Sequence, residues 1–189
     1  LGSPKYDVEL NEKEIYEKYK NLKKEEKNAL VVFPRRRDLH MVDLDKLYRM
    51  LRALGYKVLV KTRGKDPAED RFKGNYYFED ASWFPHTTME LISISDIVIN
   101  FGSTTVKELV MLKTPLINFD IKPWGLALKF LYDHDFCRTL DTNFEYEDLK
   151  EAVEYLTSND FDSEFDAAIK KYLFEKGNVS AKILDHCGF

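Results

Sequence analysis

The regular alternation of short apolar runs with stretches of helical periodicity constrains the fold more than any other feature of the sequence. Continuously apolar runs, rather than alternating ones, are typical of strands that helices cover on both faces. Strands joined by helices through right-handed crossovers form a mostly parallel sheet. The sequence therefore predicts a three-layer α/β domain whose sheet has about six strands, at "NALVVF" (28–33), "YKVLVKT" (56–62), "NYYFE" (75–79), "DIVIN" (96–100), "TPLINF" (114–119) and "DFCRTL" (135–140).

Pattern and composition divide the chain into three parts. Residues 1–27 read as a linker with a Gly/Pro turn and a leading helix, residues 28–160 contain the alternating strands and helices, and residues 161–189 read as C-terminal helices. With 189 residues, of which 44% are hydrophobic, the chain can bury one sizeable core. It begins with leucine rather than methionine, so we expect a piece of a longer protein.

Composition also limits the partners that we expect. The net charge of -4 provides no general attraction to nucleic acid. Since no apolar stretch reaches the roughly 18 residues of a membrane span, membrane contact would be peripheral. Cys137 and Cys187 lack the spacing of a metal or redox motif, and we interpret them as free thiols of a cytoplasmic protein. We expect neither a metal nor a cofactor.

The main candidate site is the turn "FGSTT" (101–105), between the fourth strand and a helix. Ligands of parallel α/β sheets bind at the carboxyl ends of the strands, and helix N-termini favour anions. Gly102 allows a ligand to approach the backbone, and the hydroxyls of Ser103, Thr104 and Thr105 can donate to phosphate oxygens. The turn therefore predicts a cradle for a phosphorylated ligand.

Glu108 has two interpretations. Its carboxylate lies one helical turn beyond Thr105 and could accept from the two hydroxyls of a ribose. The segment Thr105–Glu108 also fits a capping box, in which the two side chains bond the first backbone N–H groups of the helix. Capping needs one hydroxyl and this turn has three, which favours phosphate binding for the turn as a whole.

Basic residues follow the first two strands at the same predicted edge of the sheet. Arg35, Arg36 and Arg37 follow the first strand, and Arg63 and Lys65 follow the second. Because arginine makes bidentate contacts to phosphate, the five cations predict a pyrophosphate clamp. The alternative is a solvated charged face, which we expect for at least two of the five.

The loop after the third strand carries aromatic side chains that could contact a base. Trp83, Phe84 and His86 are the candidates, and their alternative role is to anchor the loop, with Thr87 and Glu90 capping the next helix. The sequence shows no nucleophile elbow, no P-loop lysine and no GxGxxG fingerprint, so NAD binding is disfavoured and the catalytic residues stay unknown.

The segment "SDIVINFGSTTVKELVMLKTPLINFD" resembles the donor-binding segment of GT-B-fold glycosyltransferases and their relatives. The nearest look-alikes are UDP-N-acetylglucosamine 2-epimerases, CDP-glycerol glycerophosphotransferases and capsular polysaccharide enzymes. "FGSTTVKE" is similar to the epimerase pattern Asp-Ser-Gly-Gly-x-Gln-Glu. That similarity implies that Ser103, Thr104 and Thr105 hold the phosphates and that Glu108 holds the ribose.

Three further segments resemble these families. "PRRRD" looks like the epimerase motif His-Arg-Arg-Glu, which implies that Arg36 and Arg37 are its arginine pair, although Arg35 stands where that motif has histidine. The His-Pro motif of the glycerophosphotransferases is absent. "LGSPKYD" resembles the Gly-Asn-Pro-x-x-Asp linker that opens the second domain of these enzymes, and "FEKGNVSAKILD" resembles their C-terminal Gly-x-x-Ser-x-x-Ile segment.

The resemblance implies a Rossmann-like domain that forms the C-terminal half of a GT-B fold. It implies a UDP- or CDP-linked sugar or alditol as donor, in the synthesis of a surface polysaccharide or glycolipid. The acceptor site would belong to an N-terminal domain, without which the isolated chain would be inactive and toward which residues 161–189 would expose apolar side chains. The alternatives are a UDP-sugar 2-epimerase-like domain and a nucleotide-binding module without catalysis.

Overall fold

The fold is described from a computed structural model, which covers residues 6–7, 9–63, 67–80, 86–121, 128–173 and 179–187. Six strands form one sheet in which every pairing is parallel. The predicted α/β architecture with about six strands is therefore confirmed. The strands are β1 (Asn28–Val32), β2 (Lys57–Arg63), β3 (Tyr76–Asp80), β4 (Ile97–Asn100), β5 (Leu116–Phe119) and β6 (Cys137–Leu140).

The order of the strands places a topological switch point at the centre of the sheet, between β1 and β4. The order is β3-β2-β1-β4-β5-β6, so the chain builds outward from β1 in one direction and then returns to build outward in the other. Between β1 and β4 the loops leave the sheet in opposite directions, and this switch point is where doubly wound folds bind ligands. The turn "FGSTT" follows β4 and therefore lies at this point.

Helices cover the sheet, and local sequence sets their ends. The side chain of Asp43 accepts from the backbone N–H of Lys46 at 2.8 Å, which caps the helix that ends before the left-handed Gly55. Glu145 and Asp148 form a reciprocal capping box. The helices are α1 (Glu12–Lys18), α2 (Leu44–Ala53), α3 (His86–Ser93), α4 (Val106–Met111), α5 (Lys129–Tyr132), α6 (Tyr146–Ser158), α7 (Asp162–Ala168) and α8 (Val179–Cys187).

The hydrophobic core lies on both faces of the central strands. Every residue of β4 and β5 is buried, as their continuous apolar sequences predict. Two of these residues are polar: Asn100 and Asn118, both fully buried and paired in register near the carboxyl ends of their strands. Buried polar groups are usually hydrogen-bonded. The side-chain oxygen of Asn118 accepts from the Gly102 N–H, and the side-chain amide of Asn100 donates to the Tyr132 hydroxyl, whereas the Asn100 oxygen and the Asn118 amide nitrogen have no partner among the described residues.

The two ends of the described chain meet. The carboxylate of Asp7 accepts from the backbone N–H groups of Val179 and Ser180 at 3.1 and 2.8 Å, and from the Ser180 hydroxyl at 2.7 Å. Asp7 thus caps α8. It also connects the segment "LGSPKYD" to the segment "FEKGNVSAKILD", both of which were singled out in the sequence. On α8, the apolar side chain of Leu184 is 53% exposed.

The leading helix is fixed to the sheet layer by a carboxylate of α3. Glu90 binds the ammonium group of Lys18 at 2.6 Å and also accepts from the hydroxyl of Tyr19. Glu90 therefore connects α1 to α3, a role other than the helix cap with Thr87 that the sequence suggested.

Among the helices of the described residues, none combines the length and the apolar character that a bilayer crossing requires. The same residues contain no group of three or more histidine, cysteine or acidic side chains arranged to hold a metal ion.

Candidate functional site

A cleft of about 140 Å³ opens at the carboxyl ends of β1, β2 and β4. It lies at the topological switch point, and its wall includes the turn that the sequence singled out. Two side chains of the wall are cationic, one is acidic and five carry hydroxyls. The lining consists of Val32, Phe33, Pro34, Arg35, Asp38, Lys61, Thr62, Thr88, Phe101, Ser103, Thr104 and Thr105.

The turn after β4 has a defined conformation. Gly102 adopts a φ of +59°, a left-handed value that glycine reaches without steric cost. Its N–H donates to the side-chain oxygen of Asn118 at 2.9 Å. The hydroxyls of Ser103 and Thr105 lie 3.0 Å apart and bond each other. The predicted group of glycine and hydroxyl residues is therefore brought together at the cleft.

A second set of bonds fixes the backbone carbonyl of Ser103. The hydroxyl of Tyr132 donates to this carbonyl at 2.6 Å and accepts from the side-chain amide of Asn100 at 2.7 Å. The same amide lies 3.4 Å from the Ser103 carbonyl. Burial raises the pKa of Tyr132, so its hydroxyl keeps the proton that it donates. No local pattern in the sequence indicates Tyr132, because it lies 29 residues beyond Ser103.

The capping box suggested for Thr105 and Glu108 is not formed. Thr105 makes no side-chain cap bond to α4, and its hydroxyl is paired with that of Ser103. Glu108 is buried, with 7% of its surface exposed, and it lies outside the set of residues that line the cleft. Ribose binding by Glu108 stays a prediction.

The predicted arginine clamp is only partly assembled. All three arginines are exposed, and of these three only Arg35 lines the cleft. Arg36 and Arg37 lie in a 3₁₀ turn, Arg36–Met41, and Arg37 approaches Asp38 at 3.5 Å. Phosphate binding by Arg36 and Arg37 stays a prediction. The side chain of Arg63 and the whole of Lys65 lie outside the described residues.

Lys61, for which no role was predicted from the sequence, supplies a cation inside the cleft. Lys61 lies in β2, is 7% exposed, and donates to the backbone carbonyl of Thr62. Buried lysines are rare unless their charge has a function or a partner. The available signal was a lysine inside the apolar run "KVLVKT", near the carboxyl end of the strand.

The aromatic residues proposed for base contact fall largely outside the described chain. Trp83 and Phe84 lie outside it, and His86 opens α3 with a side chain that is not described. Base contact by these residues stays a prediction. The structure adds two aromatic rings, Phe33 and Phe101, to the wall of the cleft.

Comparison with known sequences finds no matching family model and no matching curated protein. Comparison of the fold with solved structures does find relatives. A variant of the wall teichoic acid polymerase TagF, soaked with CDPG for 30 minutes, is similar over 99% of this chain and 49% of its own, with a TM-score of 0.65 and 22% identity. WaaG, a glycosyltransferase involved in lipopolysaccharide biosynthesis, is similar over 97% of this chain and 54% of its own, with a TM-score of 0.59 and 15% identity.

The glycotransferase of kitacinnamycin is a third similar structure, over 86% of this chain and 43% of its own, with a TM-score of 0.57 and 17% identity. The chain thus spans about half the length of the solved glycosyltransferases that it matches. At these identities the likeness shows the fold. The chain has the Rossmann-like α/β fold of one half of a GT-B glycosyltransferase.

Proposed function

We propose that this chain is the donor-binding half of a GT-B glycosyltransferase or glycerophosphotransferase, and that its cleft binds the phosphates of a nucleotide-activated sugar or alditol. The observation that carries the proposal is the composition of the cleft at the switch point. Lys61 and Arg35 share it with the hydroxyls of Ser103, Thr104 and Thr105. Cations and hydroxyl donors around one small space are the groups that phosphate oxygens require.

The chemistry of the cleft supports phosphate as the part of the ligand that enters it, because two cations and the hydroxyl turn line the same space. The ribose and the base would extend beyond the cleft, where Glu108 and the loop 81–86 are the candidates that the sequence offers.

The chemical contribution of such a site is electrostatic. When the bond to the nucleotide breaks, negative charge accumulates on the departing phosphate. Donors and cations that already point at that phosphate stabilise the charge without reorganising. In this role Lys61 and Arg35 supply positive charge, and the hydroxyls of the turn orient the phosphate through hydrogen bonds. The acceptor and the catalytic base that activates it would belong to another domain.

The solved relatives support this choice of ligand. One of them is a teichoic acid polymerase soaked with CDPG, and another is a glycosyltransferase of lipopolysaccharide biosynthesis. Nucleotide-linked donors, polysaccharide synthesis and a cytoplasmic location are therefore part of the proposal. Because the chain spans about half of those proteins, turnover would require a second domain.

The test is calorimetric titration of the chain with CDP, UDP and GDP, repeated on Lys61→Met. Methionine keeps most of the lysine stem but removes the charge, so phosphate affinity should fall about tenfold or more, which is about 1.4 kcal/mol or more. Lys57→Met is the matched control. Lys57 lies in the same strand at the opposite end, where it pairs with Glu26 at 3.6 Å.

The proposal predicts that the wild type and Lys57→Met bind one of the three nucleotides equally, and that Lys61→Met binds it weakly while remaining folded. Equal nucleotide affinity in all three proteins would show that the nucleotide binds outside the cleft. Absence of binding to the wild type at millimolar nucleotide would refute the donor-binding function of this chain.

A further inference from the structure

We propose that Tyr132 is a positioning residue, which holds the phosphate-binding turn in its active conformation from the neighbouring βα unit. The inference rests on the proposed function for its ligand. It concerns a residue that does not line the cleft and would not touch the ligand. Its effect would act through the backbone of Ser103.

The bonds of Tyr132 are buried and connect two elements of the fold. The tyrosine is 5% exposed and its neighbour Asn100 is fully buried. The hydroxyl accepts from Asn100 at 2.7 Å and donates to the Ser103 carbonyl at 2.6 Å. A buried hydroxyl that both accepts and donates has one favoured orientation, because the loss of either bond leaves a buried polar group unpaired.

The geometry of the peptide carries this orientation to the turn. In a trans peptide the carbonyl and the following N–H point in opposite directions. Tyr132 holds the Ser103 carbonyl on one side, so the N–H of Thr104 points to the other side, away from Tyr132. Among the described residues, no acceptor contacts this N–H. It is therefore available to a ligand in the cleft that Thr104 lines.

The same βα unit holds the turn at a second point. Asn118 in β5 accepts from the N–H of Gly102 at 2.9 Å, two peptides before the one that Tyr132 fixes. Both contacts come from the segment that begins with β5, whereas the turn belongs to the segment that begins with β4. These contacts from the neighbouring unit add to the bonds within the turn itself, where the Ser103 carbonyl also accepts from the Val106 N–H at 3.3 Å and the Ser103 and Thr105 hydroxyls pair.

The experiment compares Tyr132→Phe with Tyr48→Phe. Tyr48 is a matched control, because it is 1% exposed and its hydroxyl donates to the Phe72 carbonyl at 3.2 Å, outside the cleft. Each variant removes one hydroxyl that donates to a backbone carbonyl. Two quantities are measured in each protein: the affinity for CDP, UDP and GDP, and the ¹⁵N relaxation order parameters of residues 102–105.

We expect Tyr132→Phe to weaken nucleotide binding about tenfold and to lower the order parameters of the turn. We expect Tyr48→Phe to change the nucleotide affinity by less than about twofold and to leave the order parameters of the turn unchanged. Unaltered affinity in Tyr132→Phe would overturn the inference. If the wild type binds no nucleotide, the proposed function fails, and the relaxation data alone decide on Tyr132. A turn that is as ordered in Tyr132→Phe as in the wild type would then refute its positioning role.

Discussion

At the scale of single residues, the structure separates the two roles that the sequence suggested for Glu108, helix capping and ribose binding. Because Thr105 makes no cap bond, Glu108 is not the second member of a capping box. Its position one turn into α4, behind the hydroxyl turn, keeps the ribose hydroxyls as the natural ligand to test.

We predict that Glu108→Gln lowers nucleotide affinity about tenfold or more, because the amide retains one acceptor oxygen and loses the charge that strengthens both bonds. The free energy of unfolding should change by at most about 1 kcal/mol, since glutamine keeps the length of the side chain. Calorimetric titration and thermal unfolding of the same preparation measure both quantities.

Glu90→Gln provides the opposite control. Glu90 binds Lys18 and Tyr19 between two helices, so this variant should lose stability and keep the affinity. If Glu108→Gln behaves like Glu90→Gln, with a lower melting temperature and unchanged binding, then Glu108 is structural and the ribose interpretation is wrong.

At the scale of elements, the carboxylate of Asp7 caps α8 and connects it to the start of the described chain. The backbone and hydroxyl bonds from Ser180 hold the pKa of Asp7 below its ordinary value, and the backbone bond from Val179 adds to them. A depressed carboxyl pKa contributes stability above the pKa of the unfolded state. That contribution is lost as the pH falls through the folded value, so we predict that α8 detaches on acidification below about pH 4.

Amide hydrogen exchange of residues 179–187 measures this release as a function of pH. The wild type should lose protection in α8 before the sheet does, and Asp7→Asn should show low protection in α8 already at neutral pH. Protection of α8 that follows the core strands at every pH, in both proteins, would contradict the role of Asp7 as its cap.

The elements also show which parts of the structure the sequence could predict. α6 (Tyr146–Ser158) could be predicted from the sequence because its helical periodicity and its capping box are local. The start of α4 at Val106 is harder to predict, since residues 103–105 form a turn although they directly precede the helix. Strands such as β4 were recognised because both of their faces are buried.

The candidate site was predicted only where its signal is local. The hydroxyl turn was found because glycine and three hydroxyl residues are adjacent in the sequence. Asn118 and Tyr132 were missed because their bonds to the turn cross 16 and 29 residues of chain. Lys61 was missed because proximity to the turn depends on the pairing order of β2, β1 and β4, which side-chain patterns do not specify.

At the scale of the whole molecule, the proposed binding site lies at the centre of the sheet. The sheet order brings the ends of β1, β2 and β4 together, and the cleft between them holds two cations and a hydroxyl turn. The solved glycosyltransferases that share the fold are about twice as long as this chain. Binding of a nucleotide donor is therefore the property to measure, and it can be measured on this chain alone.

The most direct test is a titration of the ¹⁵N-labelled chain with CDP, followed by the backbone amide resonances, with UDP and GDP in parallel. We expect saturable shifts that concentrate at Arg35, Thr62, Ser103 and Thr104, which line the cleft, with β6 at the edge of the sheet unaffected. Shifts that spread over exposed surfaces or cluster at β6, or spectra that do not change at millimolar nucleotide, would refute donor binding at the cleft.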